Sequence, residues 1–157
     1  MATASPAPDG TRTRAADDIV GVLRLSARFR AHFAELVAAH PLLGPAGLRP
    51  PTFAVLRGID MSRAPSQREL ADHIGLHPSD MVALLDDLEG RAWVVRSRDP
   101  EDRRRHALAL TDGGREALEV LEELAAEAGD RVLAPLGRAD RAAFRSLVGQ
   151  VVSAERG

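Results

Sequence analysis

Gly75-Leu76-His77 leaves room for only a tight turn between two stretches that both carry a helical apolar period, and this restricts the possible folds more than any other feature. Ahead of it, Ser66-Gln67-Arg68-Glu69 is a capping box: the Ser66 hydroxyl accepts the Glu69 N–H, and the Glu69 carboxylate accepts the Ser66 N–H. A helix therefore starts here, buries Leu70, Ala71 and Ile74, and stops at Gly75, which tolerates the left-handed conformation of a C′ residue. Behind the turn, Pro78 suits a first helical turn, and Met81, Leu84, Leu85 and Leu88 fall at i, i+3, i+4 and i+7. Two short helices joined this closely, each with one apolar face, predict a helix-turn-helix.

After Gly90 the apolar period changes from 3.6 to 2. Trp93-Val94-Val95-Arg96 and His106-Ala107-Leu108-Ala109-Leu110 read as two strands, with turn chemistry in Asp99-Pro100-Glu101-Asp102 between them. Thr111 then caps a long helix carrying Ala117, Leu121, Leu124, Ala128 and Val132, broken by Pro135 and Gly137. A last helix puts Phe144, Leu147, Val148 and Val151 on one face. Upstream, Ile19, Val22, Leu23, Phe29, Phe33, Leu36 and Val37 form one stripe of a helix from Asp17 to His40, and a short helix after Pro51 turns Phe53, Leu56 and Ile59 inward. Residues 1–15 are small, polar and proline-containing, which predicts a disordered tail.

Charge then singles out the hairpin. The net charge is −2 and all 21 basic residues are arginine, yet six of them lie between Arg91 and Arg105. A basic surface must therefore come from local segregation, and here it falls on a β-hairpin arm. Every cation is a planar fork suited to phosphate, guanine or carboxylate. Cysteine is absent, which excludes disulfides, thiolate metal sites and thiol-based redox switching within this chain. No apolar run reaches the roughly 20 residues of a membrane span, and no signal-peptide core is present near Met1, so no membrane association and a cytoplasmic location are expected. No nucleophile–base pairing, phosphate-cradling glycine loop or ligand cluster stands out, so neither an enzyme nor a cofactor is expected.

The capping-box helix, turn, second helix, Asp99-Pro100-Glu101-Asp102-Arg103-Arg104, alternating strand and Leu110-Thr111-Asp112-Gly113-Gly114 together resemble the winged helix-turn-helix regulators of the MarR family. The resemblance covers nearly everything from Asp17 onward. It implies a mainly α fold with a small β-hairpin and a single domain over 16–157. Within it, 50–111 would form the DNA-binding lobe, and 17–40 with 112–155 would interlock two subunits as a homodimer. It also implies that the second helix of the motif, with Pro78, Ser79, Asp80 and Ala83, enters the major groove of double-stranded DNA. The arginine wing would reach the minor groove of a pseudo-palindromic operator, and the expected role is a ligand-responsive repressor.

The wing has a physical case of its own. A hairpin is thin enough for a minor groove about 6 Å wide, where a narrowing groove draws arginine by its negative potential. Arg104 is the leading candidate, with Asp102 placed to hold its guanidinium and set its direction. Phosphate contacts are expected from Arg68, Arg96, Arg98 and Arg103 to Arg105. The competing reading is a solvated hairpin whose acids compensate its own arginines.

The second helix departs from the family pattern. From His77 to Gly90 there are four acids and no arginine. Asp80 in the first turn is favoured by the helix dipole and can accept from cytosine N4. Asp86 and Asp87 either face the protein or pair with Arg91. The acidic helix supports an alternative function, a degenerate winged helix that has lost operator binding and serves as a protein-interaction module. His73 and His77 are four apart, but Gly75 interrupts the helix between them and no third metal ligand is evident, so no metal is expected. His32, beside Phe29 and Phe33 and with Phe53 as a further apolar wall, suits a small anionic or aromatic effector, the alternative being an ordinary half-buried helix histidine.

Overall fold

The computed structural model describes residues 10–62, 65–98 and 106–154 of the 157-residue chain. Its described elements run in the order α1 (Gly10–Ala39), α2 (Thr52–Met61), α3 (Gln67–Ile74), α4 (Pro78–Gly90), β1 (Val94–Arg98), β2 (His106–Leu110), α5 (Asp112–Val132) and α6 (Arg138–Ala154), with one 3₁₀ turn at Gly44–Ala46. This is the expected mainly α fold with one two-stranded hairpin. No described helix is long and apolar enough to cross a membrane. Two compact units are present: Ala34–Ala126, and Met1–Phe33 with Glu127–Gly157.

The unit Ala34–Ala126 is built on the helix-turn-helix. Ser66 caps α3 with the full capping box, its hydroxyl accepting from Glu69 N at 3.2 Å while its own N–H donates to Glu69 Oε2 at 2.8 Å. Gly75 ends the helix at φ 74°, and its N–H donates to Ala71 O. Pro78 begins α4, whose inward stripe of Met81, Leu84, Leu85 and Leu88 is buried. On α2 the buried residues are Thr52, Val55, Leu56, Gly58 and Ile59. Phe53, expected inward, is only half-buried, because the buried stripe is centred on Val55, Leu56 and Ile59.

α4 ends through a left-handed residue that is not glycine. Ala92 sits at φ 57°, with its N–H donating to Glu89 O and the next N–H, of Trp93, reaching back to Leu88 O. That reversal launches β1, which pairs antiparallel with β2 in the register Val94↔Leu110, Arg96↔Leu108, Arg98↔His106. Strand alternation buries Val94, Leu108 and Leu110 and leaves Val95 and Ala109 exposed. The hairpin is tied to the front of α3 by a bridge between Ser66 and Ala107 and by Leu108 N donating to Pro65 O at 3.0 Å. Thr111 closes its base, its Oγ1 donating to Ala92 O and accepting from Gly114 N, as expected of a cap for α5. Gly114 lies so close to β1 that an added Cβ would stand 2.0 Å from Trp93 O.

In the other unit, α1 starts at Gly10, seven residues before the Asp17 expected from the apolar stripe, so residues 10–15 are helical and not part of a tail. After Gly10 the run of Thr, Arg and Ala contains no breaker, and arginine and alanine are good helix formers. Residues 1–9 lie outside the described set. Past the α5–α6 turn, Asp130 is 3.5 Å from both Arg141 and Arg145, and Arg141 Nε donates to Leu136 O. The apolar stripes of α1 and α6 stay largely uncovered: Leu23 is 63% and Leu147 60% exposed, and Ile19, Val22, Val148, Val151 and Val152 are exposed with them.

Candidate nucleic-acid interface

The outer face of α4 is fixed by its inner one. With Met81, Leu84, Leu85 and Leu88 in the core, the 3.6-residue period turns Pro78, Ser79, Asp80, Val82, Ala83 and Asp86 to the surface. The four residues expected to meet bases are therefore all exposed, three of them in the first turn and Ala83 one turn on from Ser79. His77, weighed from the sequence as a turn residue and as half of a metal pair with His73, caps this helix: its Nδ1 accepts from Ser79 N at 3.4 Å and lies 2.8 Å from Ser79 Oγ. Its position just ahead of Pro78 was the available signal, since a cap residue must stand there.

The acids of α4 are matched from within the same lobe. Asp87 pairs with Arg91, as one sequence alternative had it, through Nε to Oδ2 at 3.0 Å and Nη2 to Oδ1 at 3.1 Å. The same guanidinium donates to Ala46 O and lies 5.6 Å from the Trp93 ring centroid, a cation–π distance. Asp86 does not use Arg91. It receives Arg96 Nη1 at 2.7 Å, and that nitrogen also donates to Glu89 Oε2 at 2.5 Å, while the Arg96 backbone N–H donates to Glu89 Oε1. Three of the four acids on the helix are thereby paired, two arginines standing against three carboxylates, which leaves Asp80 in the first turn, where the helix dipole favours an anion.

This corrects the role expected of Arg96. Its side chain is 22% exposed and committed to two carboxylates, so it is a clamp between α4 and β1 and not a phosphate contact. Asp86 and Glu89 stand three apart on one helical face, a visible pattern, but their shared cation comes from beyond the Ala92 reversal. Arg96→Met should lower the lobe's stability by about 1–2 kcal/mol, because Glu89 loses a charge-assisted partner at a half-buried site while Asp86 is largely solvated. Adding Glu89→Gln should recover part of that loss in urea titrations; no recovery would assign the effect to packing of the arginine stem.

The other expected DNA contacts fall unevenly. Arg68, near the start of α3, is 93% exposed, with Asp72 one turn away at 3.9 Å. Arg98 ends β1 opposite His106. Asp102, Arg103, Arg104 and Arg105 belong to residues 99–105, outside the described set. The candidate effector residues divide between the two units. On α1, Phe29 and Phe33 stack with ring centroids 5.9 Å apart, and His32 beside them is half-buried. Phe53 belongs to α2 in the other unit. Among the described residues, no group of three or more His, Asp or Glu side chains is placed to hold a metal ion.

Comparison with known proteins is consistent with this geometry. Residues 48–106 match the model of the MarR family. The structure of the transcriptional repressor CouR, bound to a 23-mer DNA duplex, aligns with a TM-score of 0.70 and 37% identity, covering 83% of this chain and 89% of that one. A MarR family protein of Mycobacterium tuberculosis in complex with p-aminosalicylic acid aligns with a TM-score of 0.68 and 28% identity, covering 83% of this chain and 94% of that one. A protein of Thauera aromatica, whose name ties it to transcriptional regulation of the hcr operon, is 29% identical over 102 residues. That match takes in 65% of this chain and 61% of the relative, so the chain spans less than two thirds of that relative's length.

Proposed function

The chain belongs to the MarR family of winged helix-turn-helix regulators, and we propose that it is a dimeric repressor that binds a pseudo-palindromic operator and releases it when a small aromatic anion binds. The observation that carries the DNA-binding reading is the internal pairing of Asp86, Asp87 and Glu89 with Arg91 and Arg96. A helix with four unpaired carboxylates would be repelled by phosphate; in this one two arginines offset half of that charge, beside a hairpin whose sequence supplies further cations. The same pairing weakens the support for a degenerate protein-interaction module. That the matched relatives are named as regulators favours a binding role over a catalytic one. A cytoplasmic location, with the DNA, follows from this reading.

The roles of the individual residues are part of the proposal. Pro78, Ser79, Asp80 and Ala83 meet the major groove, Arg68 and Arg98 meet phosphates, and Arg103 to Arg105 form the wing contact with Asp102 directing Arg104. Repression is supported by the function named for CouR, and an aromatic carboxylate effector by the ligand of the Mycobacterium relative. Phe29, His32 and Phe33 are the candidate effector contacts on α1. Selection from random duplexes followed by mobility shift tests the core of the proposal: a two-fold sequence with half-sites about 10 bp apart is the expected result. Failure to enrich any sequence would reject it.

Dimerisation is the proposed cover for the uncovered faces of α1 and α6. Ile19, Val22 and Leu23 on one helix and Leu147, Val148 and Val151 on the other are too many exposed aliphatic side chains for a surface in water. Sedimentation should show a dimer at micromolar concentration, and Leu147→Asp with Val151→Asp should shift it toward monomer. A folded monomer of the unsubstituted chain under those conditions would contradict the assignment.

A further inference from the structure

Resting on the reading that α4 enters the major groove, we infer that this helix recognises its operator through thymine methyl groups and cytosine amines, and leaves the acceptor edge of guanine unread. The inference follows from what α4 offers and what it lacks. Guanine O6 and N7 are read in pairs by arginine or lysine, and adenine N6 and N7 by asparagine or glutamine. The helix Pro78–Gly90, with sequence PSDMVALLDDLEG, contains none of these four residue types. Its outer stripe is Ser79, Val82, Ala83 and Asp86, at i, i+3, i+4 and i+7. Asp86 is taken up by Arg96, and Ser79 Oγ lies 2.8 Å from His77 Nδ1 within the cap.

What projects is apolar. Val82 is 41% exposed on a helix whose other large aliphatic side chains, Met81, Leu84, Leu85 and Leu88, are all at or below 1%. A half-exposed β-branched residue is neither a good helix former nor a solubilising one, and Ala83 beside it widens the apolar patch. In the major groove the apolar group presented by an unmodified base pair is the thymine C5 methyl, and cytosine N4 is the donor that the Asp80 carboxylate fits.

The test uses the full chain and the operator enriched by selection, in three forms: unaltered, with thymine replaced by uracil in the half-sites, and with guanine replaced by 7-deazaguanine. Uracil removes only the methyl group, and affinity should fall roughly fourfold for each contacted methyl, the equivalent of one buried methylene. 7-Deazaguanine removes only the N7 acceptor and should leave affinity unchanged to within about twofold, because a lost bidentate contact would cost far more than that. Val82→Ala, at an exposed position that keeps the fold, should narrow the difference between thymine and uracil operators. A loss of tenfold or more with 7-deazaguanine, or equal binding of thymine and uracil operators by the unsubstituted chain, would overturn the inference while leaving DNA binding intact. Failure to bind any duplex would instead reject the DNA-binding reading, and with it this one.

Discussion

Gly114→Ala should destabilise the protein by about 3 kcal/mol, the upper end of what overpacking ordinarily costs, and lower its thermal midpoint by roughly 6–12 °C. The added Cβ would stand 2.0 Å from Trp93 O and 2.8 Å from Trp93 C. Both are backbone atoms, so no rotamer change relieves the contact; α5 must move off β1. That movement would strain the closure made by Thr111, whose N–H donates to Trp93 O and whose hydroxyl bridges Ala92 O and Gly114 N. Gly113→Ala is the internal control. Its Cβ would meet nothing nearer than 3.9 Å, and alanine is the better helix former, so it should be neutral or slightly stabilising. Equal melting points for the two variants would show that α5 does not press on the hairpin base in this way.

Arg104→Ala should weaken operator binding by roughly 1–3 kcal/mol per subunit, and by about twice that in a dimer whose two wings act independently. Arg104 lies in the segment joining the paired residues Arg98 and His106, and its assignment rests on sequence: a cation cluster on an arm narrow enough for a minor groove. Asp102→Ala should cost less, since it removes only the group that directs the guanidinium. Arg12→Ala takes away the same charge near the start of α1 and serves as control. Titration of the selected operator with all three variants decides the matter; if Arg104→Ala binds like Arg12→Ala, the arginines of the hairpin are a solvated surface.

Features that satisfy themselves locally were the legible ones. The capping box at Ser66 and Glu69, the stop at Gly75 and the strand His106–Leu110 each need only their own few residues, and each stands in the structure as the sequence implied, except that Ala107 is buried along with Leu108. Arg96 was misread because its partners are decided by a reversal at Ala92, a residue whose identity gives no warning of a positive φ. Phe53 was placed inward because a ten-residue helix allows several apolar stripes, and packing chose the one through Val55, Leu56 and Ile59. The start of α1 was set late because its first residues carry no apolar period, only good propensity. The stripes of α1 and α6 were visible, but a stripe alone does not say what covers it.

The ion pairs at the wing base also bear on the counterions of the DNA. Binding to a polyanion gains much of its free energy when protein cations displace condensed ions from phosphates, and each displaced ion steepens the dependence on ionic strength. Arg91 and Arg96 already hold Asp87, Asp86 and Glu89, so they arrive with their charge spent inside the lobe. They set the geometry between helix and hairpin without adding to the ions released. The chain's net charge of −2 therefore conceals a division of labour, in which Arg91 and Arg96 set the shape of the reading head and the proposed phosphate contacts fall to other arginines.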